Sequence, residues 1–219
     1  GYEGSTDGTV IICNEFQKKY PNLIKLIALD GGGRNKNYKS IQLLSQAKGR
    51  YIALCSGGDY WLDDTKLQQQ VDFLEQNIDY TVCFHRTSID RGQGLEDDTL
   101  ATVPKSETSL LDLAAGNYIH TPSVMYRNIF PKHFPDIFYT APVLDYLLHI
   151  YAAERGKIKY IDKVMAVYRV HNDSYWSSKS DLDRAFLWVD VLAPLVEYCA
   201  YKGNKISSSI PLSFNCSQH

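Results

Sequence analysis

Short runs rich in β-branched and aromatic residues alternate with helix-periodic stretches through the first half of this chain, and that alternation restricts the fold most. Strand-type runs occupy residues 25–29, 50–55 and 80–86, and helix-type stretches occupy 9–19, 37–47 and 64–76. In the third helix Leu67, Val71 and Leu74 recur at i, i+4 and i+7, behind Asp63 or Asp64 as the capping residue. Thr6 and Asp7 are the corresponding candidates for the first helix, and Ile41, Leu43 and Leu44 give the second its apolar side. Alternation of this kind predicts an α/β fold, a mostly parallel sheet flanked by helices. The second half predicts a helix over 140–154 stopped by Gly156, strands at 157–161 and 164–170, and a long amphipathic C-terminal helix. In that last helix Asp183, Asp190 and Glu197 recur every seven residues, and Pro194 predicts a bend or break. Residues 88–106 are polar, with Gly92, Gly94 and the acidic run Glu96, Asp97, Asp98, and read as an exposed loop. The expected organisation is one domain over 1–177, then a helix and polar tail over 178–219. Gly1 to Thr9 resembles the turn after a strand, so a first strand, with roughly 30 residues, is expected upstream.

Charge and cysteine usage exclude several functions. Lys and Arg total 23 against 25 Asp and Glu, a net −2 in 219 residues, so no global basic field draws the chain to nucleic acid. The five cysteines, Cys13, Cys55, Cys83, Cys199 and Cys216, are odd in number and scattered, without zinc-ligand spacing. A reducing, cytoplasmic setting is expected. No apolar run reaches the 18 residues of a transmembrane segment, which leaves peripheral membrane association open.

Four places carry chemistry. Glu3-Gly4-Ser5-Thr6-Asp7-Gly8-Thr9 is a small-residue turn opening a helix, either an anion site or a plain capped start. Gly31-Gly32-Gly33 has neither a dinucleotide nor a P-loop pattern. The run Ala47 to Cys55 leaves its strand through Ser56-Gly57-Gly58-Asp59-Tyr60-Trp61, and ligands gather outside the carboxyl ends of such strands. Asp59 is therefore either a ligand-facing acid or a turn acid. On the mid-chain helix Leu144, Leu147, Leu148 and Tyr151 cluster on one side, while Asp145 and His149 share a flank away from it. Arg169 and His171, two apart on a strand, point the same way, as a cationic pair or a surface pair. Trp176 is a lid or a packing anchor. His85, His120 and His133 have no partner pattern and read as structural or exposed.

Taken together, Glu3 to Thr9, Ala47 to Cys55, Gly57, Asp59-Tyr60-Trp61, Lys66-Leu67-Gln68, Gln70 to Leu74, Asn117-Tyr118-Ile119, Ser123-Val124-Met125, Asp145-Tyr146, Gly156-Lys157-Ile158 and Tyr168-Arg169-Val170-His171 resemble bacterial glycosyltransferase family 2, in the family's order. The resemblance covers about residues 2–177. It implies a GT-A fold and inverting transfer of a sugar from a nucleotide-diphosphate donor, UDP-linked, with Mg²⁺ or Mn²⁺. The implied acceptor is a carbohydrate or a lipid-linked glycan in surface polysaccharide synthesis. Asp145 takes the place of the general base. Glu3, Ser5, Asp59, Arg169 and His171 take nucleotide and diphosphate positions, Asp59 and His171 also meeting the metal. Tyr146, Trp61 and Trp176 fall where acceptor or lid residues stand. The departure is Ser56-Gly57-Gly58-Asp59, which keeps one acid of the family's acid-x-acid element and leaves a non-catalytic domain binding nucleotide, glycan or protein as the alternative. A nucleotidyltransferase fits less well, because no glycine-rich phosphate loop ending in Lys or Arg is present.

Overall fold

A computed structural model describes residues 7–29, 36–98, 105–171, 176 and 178–201. In chain order the elements are α1 (Thr9–Lys19), α2 (Lys36–Gln46), β1 (Tyr51–Ala53), β2 (Tyr60–Trp61), α3 (Lys66–Gln76), β3 (Tyr80–Asp90), β4 (Leu95–Asp97), β5 (Glu107–Thr108) and α4 (Leu110–Ala114). There follow a 3-10 turn (Thr121–Ser123), β6 (Met125–Arg127), α5 (Asp136–Thr140), α6 (Leu144–Ala153), β7 (Lys157–Arg169) and α7 (Asp181–Tyr201). Two compact units result, one from residues 1–48 and 131–140, the other from 49–130 and 141–219. Helix α7 belongs to the second unit.

In the first unit, Asp7 Oδ1 accepts the Thr9 N–H at 3.1 Å, and Gly8 takes the left-handed capping position with φ 86°. Helix α2 meets α5: the buried Asn37 amide donates to the Phe138 carbonyl at 3.0 Å, and Phe134 and Phe138 rings lie 5.2 Å apart. The strand expected at 25–29 reduces to one bridging residue, Ala28.

The second unit holds a seven-stranded sheet in the order β1-β6-β3-β7-β2, with β4 on β3 and β5 on β7. Among the described strand pairs only β3 and β7 are parallel, so the mostly parallel expectation is corrected to a mixed sheet. The reason is topological. β1, β3 and β7 do run the same way, as helical crossovers demand. The short β6 wedges between β1 and β3 in the opposite sense, and β2, β4 and β5 add antiparallel partners. Central β3 is buried along most of its length, the pattern of a strand covered on both faces.

Leu74, Cys83 and Met125 form a fully buried cluster with Val71, Phe73, Tyr80 and Ile161 against it. Each large apolar side chain so buried contributes ~1.5–3 kcal/mol. Arg127 closes the far end of α3, its guanidinium donating to the carbonyls of Leu74, Asn77 (3.0 Å) and Tyr80 (2.7 Å), a cation on the negative pole of a helix. Gly156 is required where the chain enters β7: a Cβ there would stand 2.7 Å from the Asp79 carbonyl oxygen. β7 merges the two strands expected at 157–161 and 164–170, with a register shift opposite His85 and Thr87. β3 extends to Asp90 and forms a hairpin with β4 in place of the loop expected from residue 88, turning through Gly92 and Gly94 at φ 83° and 117°. Helix α7 runs through Pro194 without interruption and buries Val191 and Leu195. No helix among the described residues is long and apolar enough to cross a membrane.

Candidate active site

The chain leaves β1, turns with Asp59 N–H donating to the Ser56 carbonyl at 3.0 Å, and returns as β2, which pairs with β7 (Tyr60 opposite Val167, Trp61 opposite Ala166). That pairing sets Asp59 beside the end of β7, where its Oδ1 accepts the Arg169 backbone N–H at 3.1 Å. Burial pushes the Asp59 carboxyl above its usual range; the Arg169 N–H, His120, the Ser56 hydroxyl and His171 act against that rise. His171 Nε2 lies over Gly58, 3.0 Å from where a Cβ would sit, so the glycine is what lets the imidazole approach. Asp59 and His171 are therefore neighbours. Among the described residues no group of three or more His, Cys, Asp or Glu gathers as a metal cage.

Arg169 and His171 do not act as one pair. β7 ends at Arg169, so the two-residue strand period does not extend to His171. The Arg169 guanidinium instead faces Asp90, its register partner, Nε to Oδ2 3.8 Å, and what reaches Asp59 is the Arg169 backbone.

Asp145 sits in the first turn of α6, where a carboxylate is favoured by the helix pole. Its Oδ1 accepts the Tyr146 N–H at 2.8 Å and its Oδ2 accepts the Thr121 hydroxyl at 3.0 Å. No Lys or Arg among the described residues forms an ion pair with it. His149, one turn on, was expected on the same outward flank but is fully buried, because Tyr126 of β6 lies beneath α6 and meets its Nδ1 at 2.5 Å. Burial pushes the His149 imidazole down to about 4.

The three aromatic expectations separate. Tyr146 is a core residue: its hydroxyl donates to the Leu113 carbonyl at 3.1 Å and its ring meets Trp188 edge-on at 5.0 Å. Trp176, half-buried, meets the same Trp188 edge-on at 5.6 Å. Trp61 is 37% exposed, donates its indole N–H to the Pro122 carbonyl at 3.1 Å, and carries the Lys66 ammonium 4.5 Å from its ring. Glu3 and Ser5 lie outside the described residues.

Two features escaped the sequence reading. His120 Nε2 stands 3.1 Å from Asp98 Oδ2, both side chains nearly buried; Tyr168 stacks on the imidazole and Thr87 donates to the same carboxylate oxygen at 3.0 Å. Twenty-two residues separate the pair, and no local pattern links them. Lys66 is fully buried, its ammonium donating to Gln70 Oε1 at 2.8 Å, and burial pushes it down to about 8. Here a signal existed: Lys66, Gln70 and Leu74 form an i, i+4, i+8 row, and it is this row that α3 buries, leaving Leu67 exposed.

A family model described as glycosyl transferase family 2 matches residues 3–134. Rv1520 of Mycobacterium tuberculosis, an uncharacterised protein, is 36% identical over 188 residues, 85% of this chain and 53% of its own. The dTDP-rhamnosyl transferase RfbG of Shigella flexneri is 36% identical over 76 residues, 33% of this chain and 26% of its own. This chain spans about half the length of the curated relatives it matches over most of its residues. Among solved structures, Staphylococcus aureus TarS 1-349 with UDP-GlcNAc aligns at TM-score 0.58 and 19% identity, over 95% of this chain and 65% of TarS 1-349. The complex with UDP aligns at 0.55 and 21%, over 95% and 64%. These likenesses show the fold: the mixed sheet with its helices is of the GT-A type.

Proposed function

The chain belongs to glycosyl transferase family 2, and on that premise we propose that it moves a sugar, with inversion, from a UDP-linked donor to a hydroxyl of a carbohydrate or lipid-linked acceptor in surface polysaccharide synthesis. Support for the donor comes from TarS, whose structures hold UDP and UDP-GlcNAc, and from RfbG, a dTDP-rhamnosyl transferase; both donors are pyrimidine nucleoside diphosphates. Free thiols at Cys13, Cys55 and Cys83 fit a reducing compartment, and we assign the reaction to the cytoplasm.

Inverting transfer needs a base in line with the acceptor oxygen and positive charge at the leaving group. Asp145 takes the acceptor proton as that oxygen bonds to the anomeric carbon and the bond to the diphosphate breaks, the electron pair leaving with the diphosphate. His171 meets the departing negative charge, the Arg169 guanidinium being turned to Asp90. Asp59 and His171 would hold Mg²⁺ or Mn²⁺, which when bound adds positive charge at the diphosphate. A hard cation prefers oxygen, so two protein ligands leave most positions to the diphosphate itself and make metal binding depend on nucleotide.

The observation that carries the reading is the Asp145 carboxylate, fixed at a helix start by Thr121 with no cation neutralising it among the described residues. Asp145→Asn should abolish UDP release from a UDP-sugar, about 10³-fold or more, while Mn²⁺-dependent UDP binding by calorimetry survives. Unchanged turnover would remove the base assignment. The single acid of Ser56-Gly57-Gly58-Asp59 favours a second reading, a non-catalytic nucleotide- or glycan-binding domain; UDP binding indifferent to Mn²⁺, with no turnover in the unaltered chain, would establish it instead.

A further inference from the structure

The turn preceding β6 is unusually complete in its hydrogen bonding. The His120 carbonyl accepts the Ser123 N–H at 2.9 Å and the Ser123 hydroxyl at 2.7 Å, and the Thr121 carbonyl accepts the Val124 N–H at 3.5 Å. The Pro122 carbonyl accepts the Trp61 indole N–H at 3.1 Å. The Ser123 carbonyl accepts the Gln70 amide at 2.9 Å, and the Val124 carbonyl accepts the Leu54 N–H at 3.4 Å. Gln70 is itself held by the buried Lys66 ammonium and by the Cys83 carbonyl at 2.8 Å. Five successive carbonyls are thus satisfied, three of them by groups from β2, from α3 and from Leu54, the residue after β1. Buried backbone groups paired in this way resist displacement.

From this ledge a single hydroxyl, that of Thr121, reaches α6 and donates to Asp145 Oδ2. We propose that Thr121 is the positioning residue of the reaction: anchored through the turn to the sheet and α3, it fixes the Asp145 carboxylate in the orientation that receives the acceptor proton. The proposal rests on the reading of Asp145 as base. A hydroxyl on one oxygen and the Tyr146 N–H on the other hold the carboxylate plane from both ends. Transfer of a proton in line with bond formation is sensitive to such placement.

The test compares Thr121→Val, Thr121→Ala and Thr121→Ser with Asp145→Asn in the full chain, reading UDP release, UDP binding by calorimetry, and a crystal structure of Thr121→Val. The expected result is a fall in kcat of about 10- to 100-fold for Val and Ala, with UDP affinity within about twofold of the unaltered chain. Serine, which keeps the hydroxyl, should restore kcat to within about threefold, and Thr121→Val should add nothing in the Asp145→Asn background. The Val crystal structure should show the Asp145 carboxylate rotated from its present contacts. A Val variant with unaltered kcat beside an inactive Asp145→Asn, or with Asp145 unmoved in the crystal, overturns the positioning role and leaves the base standing. An active Asp145→Asn overturns both.

Discussion

At Gly58 a hydrogen occupies the place where any other residue would set a carbon 3.0 Å from His171 Nε2. Gly58→Ala should push the imidazole off by a few tenths of an ångström and weaken Mn²⁺-dependent UDP binding about fivefold, with a smaller loss of metal-free binding. Calorimetry with and without Mn²⁺ reads the difference, and equal affinities for the two proteins would remove His171 as a ligand. Asp59 as a residue at a strand's carboxyl end was visible from the glycines before it. What met it was not: the backbone N–H it accepts comes from Arg169, over a hundred residues on, with His171 beside it, delivered by the β2–β7 pairing. Tyr146 shows the converse. Its neighbour Asp145 is half-buried, while one residue on, about 100° around the helix, the ring enters the core.

Helix α3 is the element on which both core and site depend. It buries Leu74 against Cys83 and Met125 on β3 and β6, and one and two turns earlier supplies Gln70 and Lys66 to the ledge beneath Thr121. Leu74→Ala removes fully buried volume at the junction of three elements and should cost ~2–5 kcal/mol, measured as a lowered urea midpoint at unchanged slope. A loss below about 1 kcal/mol would mean that the cluster collapses around the cavity. The periodicity of this segment placed the helix within two residues of its observed start. Of the apolar stripe it marked, Val71 and Leu74 do pack in the core and Leu67 does not; Lys66 and Gln70 were missed because they are polar and their burial depends on carbonyls of the 3-10 turn and β3 that lie far along the chain.

Across the whole molecule the pH response follows from basic groups whose protonated forms burial disfavours. Burial holds His85 and His149 down to about 4, against 6.5 for an exposed histidine. Between those values the unfolded chain binds more protons than the folded one, so stability falls as pH drops from about 6.5 toward 4. Lys66, down to about 8 from 10.5, has the same sign: stability rises as pH climbs through that window. Thermal melts should therefore show a lower Tm at pH 5 than at pH 7; a flat profile would mean that neither imidazole is buried in solution. By itself the sequence determined helices α1, α2, α3, α6 and α7, the common direction of β1, β3 and β7, and the family, since periodicity, caps and ordered motifs are written in residues close together. Only the tertiary structure decided that β6 wedges into the sheet, that His120 meets Asp98, that Lys66 is buried and that Thr121 holds Asp145. Each of these is a pairing between distant segments, and a local pattern encodes which side of an element is apolar, not what will be brought against it.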